Sequence, residues 1–325
     1  MGGMLAAGGC RACTAQRHEG SRVSVLVTVT IPTHRRPGLM KAAVESVLAQ
    51  DAHVEGEIIV VFDACPIELP DVEIPSNWRL QGLSNTHVRG LAGARNTGIE
   101  AATGTYVAFL DDDDVWLPDK LSAQLDRFAK EPEAIIVGTA MVVDDGENEH
   151  VRLVPAERLT HEDFLRNRNP GLHSSSLIFR RDVLQHRLGG IDEELPRSYG
   201  EDYDILLRGS KMGLVTVVNR PLVRALWSGQ SYYFGQWAAY AEALQYLLEK
   251  HPDFASIPRA IGRIEAQIAF ALASAGQATE ARSWARRAIG HDFRQVKAWL
   301  SIGISYRLFT TDSITKVVRR FGRGI

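Results

Sequence analysis

The sequence contains only three cysteines in 325 residues. Three thiols in a chain of this length do not form the disulfide framework of a small secreted domain, so the composition fits a reducing cytosol. Cys10 and Cys13 have the spacing of a zinc half-site or a redox pair. No second pair or nearby histidine completes a zinc tetrahedron, and we interpret both thiols as incidental.

The sequence also lacks an apolar run of about 20 residues, the length that crosses a bilayer. Its longest apolar stretches, such as residues 23–31, have the length of strands. Residues 1–20 are rich in glycine, alanine and charge, without the continuous apolar centre of a secretory signal. We expect residues 1–20 to be a disordered leader and the protein to be cytoplasmic.

The sequence has no large excess of either charge: it contains 37 Lys and Arg and 39 Asp and Glu, which gives a net charge of −2. Nucleic-acid binding needs a basic face that neutralises phosphates, so we expect no nucleic-acid partner. Hydrophobic residues, in contrast, make up 45% of the sequence. That content is enough for a full core and for a second, smaller unit.

Apolar patterning between residues 22 and 218 alternates between strand and helix signals. A helix between two buried strands is the crossover that joins parallel strands. The predicted fold class is therefore α/β, with a mostly parallel sheet flanked by helices. The predicted strands are residues 22–31, 57–62, 105–110, 134–143, 174–179 and 214–218, and the predicted helices are residues 39–50, 93–102, 119–130 and 202–212.

Beyond about residue 236 the strand signals end and Ala-rich amphipathic segments follow, such as residues 264–275 and 278–289. We therefore expect an α/β domain at residues 21–235 and a helical C-terminal region at residues 236–325. The helix pair around Gly276 resembles a tetratricopeptide repeat, although the sequence establishes no repeating period.

The last segment, residues 306–325, combines five Lys or Arg residues and interleaved apolar residues with a single acid, Asp312. Two interpretations stay open. A basic amphipathic segment can lie on the anionic inner face of a membrane, which would make the protein peripheral. Alternatively, the segment is a last helix whose apolar side packs on the preceding bundle.

Four consecutive carboxylates, Asp111, Asp112, Asp113 and Asp114, follow a predicted buried strand. Ligands bind at the carboxyl ends of strands in an open parallel sheet. Adjacent acids repel one another, which makes a hard cation such as Mg or Mn their natural partner. A solvated acidic turn is the alternative, and the apolar residues on both sides of the run argue against it.

Several short motifs follow one another in order over about residues 22–224. They are Ile31-Pro32-Thr33, Arg36-Pro37, Gly93-Ala94-Arg95-Asn96-Thr97-Gly98, Phe109-Leu110-Asp111 to Asp114, Gly189-Gly190-Ile191-Asp192-Glu193 and Gly200-Glu201-Asp202. Together they resemble the motifs of family 2 glycosyltransferases. The resemblance implies the GT-A fold, a nucleotide-binding α/β sandwich. It also implies a hexosyltransferase that moves a sugar from a nucleotide diphosphate-sugar, commonly a UDP-sugar, to a hydroxyl of a glycan, lipid-linked or protein acceptor, as in polysaccharide biosynthesis.

The same resemblance assigns the metal motif to Asp111 and Asp113. Asp113 is then the expected direct ligand of Mn or Mg, with Asp112 or Asp114 in support. The cation would bind the diphosphate of the donor and stabilise the charge that builds as the sugar departs.

The resemblance further implies a donor site at the strand ends. Asp63 matches the acid that reads the nucleotide base, although Phe62 replaces the first member of the usual acid pair. His34 is expected to stack on or hydrogen-bond to the base or ribose, and the alternative is that it is an ordinary loop residue. Arg95 is expected to reach the donor, and the alternative is a structural role in which it pairs with the acids. The expected donor-binding residues are Pro32, Thr33, His34, Arg36, Asp63, Arg95, Asn96 and Asp112.

Glu201 and Asp202 match the acidic pair of the family. Asp202 is the expected general base, which takes the proton of the acceptor hydroxyl in a single inverting displacement, and Glu201 can share that role. Helix capping is the alternative, since acids are favoured in a first helical turn. His173 and Trp227 are the expected acceptor-side residues.

Two competing functions stay open on sequence grounds. Asp111-x-Asp113-x-Val115 fits the motif of haloacid-dehalogenase-like phosphatases, in which the first Asp is the nucleophile. That strand would open the domain, whereas two strand–helix units precede it here. A non-catalytic protein that binds sugar nucleotides or acts as a scaffold would be expected to lose the acids of the metal or base position, and both sets are present.

Overall fold

The computed structural model describes residues 26–52, 54–226 and 236–314. The predicted leader with Cys10 and Cys13, the acceptor-side candidate Trp227, and residues 315–325 of the basic segment lie outside the described residues. Among the described residues, no helix combines the length and the hydrophobicity that crossing a membrane requires.

A ten-stranded mixed sheet forms the centre of the structure, with the order β3-β2-β1-β4-β9-β6-β10-β5, β7 pairing with β6 and β8 with β10. The pairs among β1, β2, β3 and β4 are parallel, as is the β6–β10 pair, whereas β9 runs antiparallel between β4 and β6. The strands are β1 (Leu26–Thr33), β2 (Glu55–Phe62), β3 (Trp78–Ser84), β4 (Tyr106–Phe109), β5 (Asp114–Trp116), β6 (Ala134–Asp144), β7 (Glu149–Arg152), β8 (Arg158–Leu159), β9 (Ile178–Arg180) and β10 (Leu214–Leu226).

Helices cover both faces of this sheet because its central strands are apolar on both faces. Helices α1 and α3 share one hydrophobic core with the sheet, and α2, α4 and α5 share the opposite core with α6 and α7. The helices are α1 (Pro37–Leu48), α2 (Leu91–Ala101), α3 (Lys120–Lys130), α4 (His161–Arg166), α5 (Glu201–Met212), α6 (Trp237–Lys250), α7 (Pro258–Ser274), α8 (Ala278–His291) and α9 (Val296–Ser305).

The predicted elements omit the short elements β5, β7, β8 and α4, and the structure differs from the prediction in three further places. Strand β3 occupies a stretch that carries no clear strand pattern, since only its Trp78 is buried, against Gly56 of β2. The predicted strand at 174–179 is a 3-10 turn, Ser174–Ser176, followed by the shorter β9. Strand β10 continues past Pro221 to Leu226 because a register shift on either side of Pro221 accommodates the missing N–H.

The C-terminal helices pack closely through alanine. Ala281 of α8 joins the core shared with α5, while Ala285 and Ala288 contact Ala266 and Ala269 of α7. Side chains of one methyl group allow helix axes to approach closely, which explains the Ala-rich composition of this region.

An ion cluster around Asp204 ties α6 to α5. The fully buried Asp204 lies 2.8 Å from Arg208 Nε, 2.9 Å from Lys250 Nζ and 2.8 Å from His251 Nε2. Burial alone would raise the pKa of Asp204, but its bonds with His251, Arg208 and Lys250 lower it well below the ordinary value of 3.8. These three partners thus offset the free-energy cost of burying the Asp204 charge.

We expect Asp204→Asn to lower the free energy of unfolding by about 3 kcal/mol at pH 7, because it removes the partner of a buried cation cluster. Because the pKa of Asp204 is lower in the folded than in the unfolded protein, the ionised Asp204 stabilises the fold at pH values above its unfolded pKa near 4. This stabilisation is lost progressively as the pH falls from there toward the folded-state pKa. Urea unfolding between pH 3 and 7 measures both effects. The exposed Asp126→Asn is the control, and an Asp204→Asn loss no larger than that of the control would contradict the prediction.

Candidate active site

The four adjacent carboxylates lie where the sequence predicts them, at the carboxyl edge of β4. Leu110 continues the strand by donating its N–H to Thr30 O at 3.1 Å, and the chain then turns as Asp114 N donates to Asp111 O at 3.0 Å. The turn divides the acids between two surroundings. Asp111 and Asp114 face the 3-10 turn at Ser174–Ser176, whereas Asp112 and Asp113 face Arg36.

Arg95 is the cation at the centre of the first group. Its side chain is fully buried, and its guanidinium bonds to Asp111, to Ser174 Oγ at 2.9 Å and to Glu201 Oε1 at 2.5 Å. Burial alone would lower the pKa of Arg95, but the charges of Asp111 and Glu201 raise it above its ordinary value. Arg95 therefore joins α2, the acidic segment and the first turn of α5.

The 3-10 turn holds the first and last acids in place. Ser174 Oγ donates to Asp111 Oδ2 at 3.1 Å, and Ser175 Oγ donates to Asp114 Oδ2 at 2.6 Å. Ser175 Oγ also accepts the backbone N–H of Asp111 at 3.0 Å, and Ser175 O accepts Trp116 Nε1–H at 2.9 Å. The sequence gives no signal for these roles, because serines in a loop carry no periodic pattern.

His173 completes a group that could hold a cation. Its Nδ1 lies 3.3 Å from Asp114 Oδ2 and its Nε2 lies 3.8 Å from Asp111 Oδ2. Burial alone would lower the pKa of His173, but Asp114 and Asp111 raise it to about 10. One ligand atom from each of the three residues lies within 4.8 Å of the others. Two carboxylates and one imidazole suit Mn better than Mg, which prefers oxygen ligands throughout.

The predicted direct ligand Asp113 lies outside this group. Arg36 Nη1 contacts Asp113 Oδ2 at 2.7 Å, and the same guanidinium pairs with Asp112, which also accepts Thr33 Oγ1–H at 2.7 Å. Burial raises the pKa of Asp112 to about 6 despite the opposing charge of Arg36. Burial and the neighbouring Asp111 and Asp114 also raise the pKa of Asp113.

The expected base-reading residues meet at the ends of β1 and β2. His34 Nδ1 lies 2.6 Å from Asp63 O, and Asp63 N donates to Thr33 O at 2.9 Å, at the end of β1 that also contains Pro32. Asn85, just beyond β3, donates its amide N–H to Asp63 Oδ1 at 2.8 Å. Asn85 is absent from the predicted set because nothing in the sequence indicates that β3 exists.

Asn96 faces away from these groups. Its amide donates to Ile191 O at 2.8 Å and accepts Ile191 N–H at 2.8 Å, and it contacts Glu193 at 2.5 Å. Consecutive residues of a helix point about 100° apart, so α2 sends Arg95 to the acids and Asn96 to the 190–193 loop.

Asp202 is nearly buried at the start of α5, after Gly200, whose φ of +80° favours glycine. Its two carboxylate oxygens accept Arg168 Nη2–H at 2.9 and 3.1 Å. Burial alone would raise the pKa of Asp202, but Arg168 and His173 lower it. Burial raises the pKa of the neighbouring Glu201 in spite of Arg95. Arg168 is a partner that the sequence motifs do not indicate.

The sequence profile described as glycosyl transferase family 2 matches residues 28–188, which include the strand ends and all four acids. The chain belongs to this family. A family 2 glycosyltransferase is an enzyme, and the phosphatase and scaffold alternatives are therefore wrong.

Two curated relatives are glycosyltransferases of this kind. UDP-Glc:alpha-D-GlcNAc-diphosphoundecaprenol beta-1,3-glucosyltransferase WfgD of Escherichia coli is 27% identical over 197 residues, 60% of this chain and 73% of the relative. Amylovoran biosynthesis glycosyltransferase AmsB of Erwinia amylovora is 30% identical over 187 residues, 53% of this chain and 60% of the relative.

Solved structures confirm the GT-A fold of this glycosyltransferase. S. aureus TarS 1-349 in complex with UDP-GlcNAc superposes with a TM-score of 0.52 at 17% identity, over 87% of this chain and 92% of TarS 1-349. The Pyrobaculum calidifontis mannosyltransferase PcManGT in complex with GDP-Man and Mn2+ gives a TM-score of 0.53 at 21% identity, over 91% of this chain and 84% of that enzyme.

We expect Arg95→Met to lower the free energy of unfolding by about 3–5 kcal/mol, because it leaves the buried Glu201 without its cation and removes one cation from the partly buried Asp111. Adding Glu201→Gln should restore part of that loss, since an amide avoids the buried charge. Chemical unfolding of the single and double variants measures the coupling. Arg79→Met, at an exposed arginine of β3, is the matched control. Equal losses for Arg95→Met and Arg79→Met would show that the buried pair contributes nothing.

Proposed function

We propose that this glycosyltransferase moves a sugar from a UDP-sugar to a hydroxyl acceptor with inversion, assisted by a divalent cation and by Asp202 as general base. One observation carries the proposal. Arg95 gathers Asp111 and Glu201 from separate segments to one place at the carboxyl edge of the sheet. That edge is where a nucleotide-binding α/β sheet receives its ligand.

The donor's base is proposed to lie against the loop after β1. A carboxylate such as Asp63 can accept the imide N–H of uracil while Asn85 holds one of its oxygens. His34, fixed by Asp63 O, offers a ring to stack on the base or ribose. The UDP-sugars named for WfgD and TarS support uridine, whereas the GDP-Man of PcManGT is the guanosine alternative.

Asp111, Asp114 and His173 are proposed to hold the cation, which would neutralise the diphosphate as the glycosidic bond to it breaks. Binding requires neutral imidazole, so His173 must release the proton that the two carboxylates stabilise. Arg36 is proposed to turn from Asp113 to the diphosphate, which would free Asp113 as a further ligand. The Mn2+ in the PcManGT complex supports a cation in this fold.

Asp202 is proposed to take the proton of the acceptor hydroxyl. Its two oxygens both contact Arg168, so an entering hydroxyl must share or displace one of these bonds. The oxygen then attacks the anomeric carbon from the side opposite the diphosphate, and the configuration inverts. Glu201 stays paired with Arg95 and keeps the first turn of α5 in place.

The acceptor is proposed to be a lipid-linked glycan in polysaccharide synthesis at the cytoplasmic face of a membrane. The diphosphoundecaprenol-linked acceptor in the name of WfgD supports this class. His173, the predicted acceptor-side residue, lies beside Asp111 and Asp114. It is therefore proposed to bind the cation and not the acceptor. The sequence of residues 306–325, basic and amphipathic, agrees with a peripheral contact.

We expect metal-dependent nucleotide release from UDP-sugars, measured on a panel of UDP-, GDP- and dTDP-sugars with Mn or Mg. Asp202→Asn should lower the rate at least about 100-fold, as loss of a general base does. Asp114→Asn should raise the Mn concentration needed for half-maximal rate. Asp126→Asn is the control for both. Release that is unchanged in Asp202→Asn, or that needs no metal, would contradict the proposal.

Arg168→Met should raise the pKa of Asp202, because it removes the charge that lowers that pKa. The acid limb of kcat/KM against pH, which reports the base of the free enzyme, should therefore move to higher pH. The exposed Arg166→Met on α4 is the matched control. An acid limb at the same pH in wild type and Arg168→Met would show that Arg168 does not tune the base.

A further inference from the structure

Exposed apolar side chains on α9 and beside its two ends form a surface that we call the apolar stripe: Phe293 before the helix, Val296 and Trp299 on it, and Leu308 after it. Their exposed fractions are 64%, 67%, 53% and 74%. Trp299 Nε1–H donates to Phe293 O at 2.8 Å, which fixes the Trp299 side chain against the backbone of Phe293. Large apolar side chains on the surface of a soluble domain are usually scattered singly, so a stripe along one helix indicates a binding surface.

The stripe continues across the next turn because α9 has a glycine there. A Cβ built on Gly303 would lie 2.2 Å from the ring of Phe309, so the ring packs directly on the helix backbone. Phe309 is itself partly exposed and follows Leu308 in sequence. The stripe therefore runs the length of α9 and onto the segment after it.

Cations flank the stripe. The Arg294 guanidinium lies 5.4 Å from the centre of the Phe293 ring, and Arg307 is exposed just beyond α9. Neither arginine forms an ion pair within the described part of the chain. Both guanidinium groups are therefore available to an anion outside the fold.

Charge is divided unevenly along the chain. Residues 282–325 contain ten Lys or Arg and only two acids, Asp292 and Asp312, which gives a formal charge of +8. Residues 1–281 contain 27 basic and 37 acidic residues and carry −10. The nearly neutral total thus hides a strongly basic C-terminal part, and the apolar stripe lies within it.

We propose that the stripe docks on an anionic lipid surface. Aromatic and aliphatic side chains enter the interfacial region of a bilayer, while adjacent Lys and Arg bind the headgroup phosphates. Charge complementarity favours this occupant over two others. A second copy would bring the same basic part, and residues 315–325 of the same chain are basic as well, so both would be repelled. Nucleic acid would match the charge but would gain little from Val296 and Leu308.

Lipid binding by this surface does not depend on the proposed function. Only its use, to bring the enzyme to a lipid-linked acceptor, rests on that function. Vesicle binding needs no donor or acceptor and is therefore measured independently of turnover. Nucleotide release from a sugar donor should be unchanged in stripe variants, since none of these residues contacts the acidic site.

Co-sedimentation of the full chain with vesicles tests the proposal. Phosphatidylcholine vesicles are compared with vesicles in which about one third of the lipid is phosphatidylglycerol, at low and high salt. Two variants probe the surface: Val296→Ser with Leu308→Ser, which breaks no hydrogen bond, and Arg294→Glu with Arg307→Glu. Their matched controls on the α/β domain are Val151→Ser and Lys130→Glu, both at exposed positions.

We expect wild type and both controls to bind the anionic vesicles in a salt-dependent manner. Each double variant should bind at least about tenfold more weakly while its unfolding transition is unchanged. Four outcomes would overturn the proposal: no binding, equal binding to neutral vesicles, stripe variants that bind like wild type, or a loss caused only by deletion of residues 315–325. Tighter binding to RNA than to vesicles, or a stripe-dependent dimer in light scattering, would assign the surface to another partner.

Discussion

The buried charge of Arg95 is the constraint on which the site depends. Its guanidinium lies without solvent exposure between Asp111 and Glu201, and its charge favours the ionised form of both acids against the cost of burial. Because Arg95 is on α2, Asp111 follows β4 and Glu201 begins α5, one side chain fixes three segments relative to one another. The fork of the guanidinium reaches two carboxylates at once, which a lysine ammonium does not reproduce.

Four adjacent acids coexist because the turn gives each pair its own cation. Asp112 and Asp113 share Arg36, while Asp111 and Asp114 share His173 and the serines of the 3-10 turn. The six carboxylates of the site, these four with Glu201 and Asp202, still outnumber its four cations, Arg36, Arg95, Arg168 and His173. The site therefore has excess negative charge, which a divalent cation would neutralise.

The sequence predicts the α/β class, the parallel core and most helices. Runs of β-branched residues indicate the buried strands, and apolar residues three and four positions apart indicate the helices. It does not predict β3, where only Trp78 is buried, or the antiparallel direction of β9, because apolar patterning carries no direction. At the site, the motifs indicate the acids and Arg95. They do not indicate Arg168, Ser175 or Asn85, since loop residues acquire partners only when distant segments meet.

Helix α5 carries a residue of the acidic site and an anchor for the C-terminal helices only two positions apart. Asp202 in its first turn faces the acidic site, and Asp204 binds Lys250 and His251 at the end of α6. An α-helix is stiff over this distance, so the C-terminal helices and the candidate base cannot shift independently. A displacement of about 1 Å of a catalytic group can cost about 100-fold in rate. A movement of α6 that shifts Lys250 and His251 would also shift the helix that carries Asp202, so the C-terminal helices contribute to the position of the candidate base.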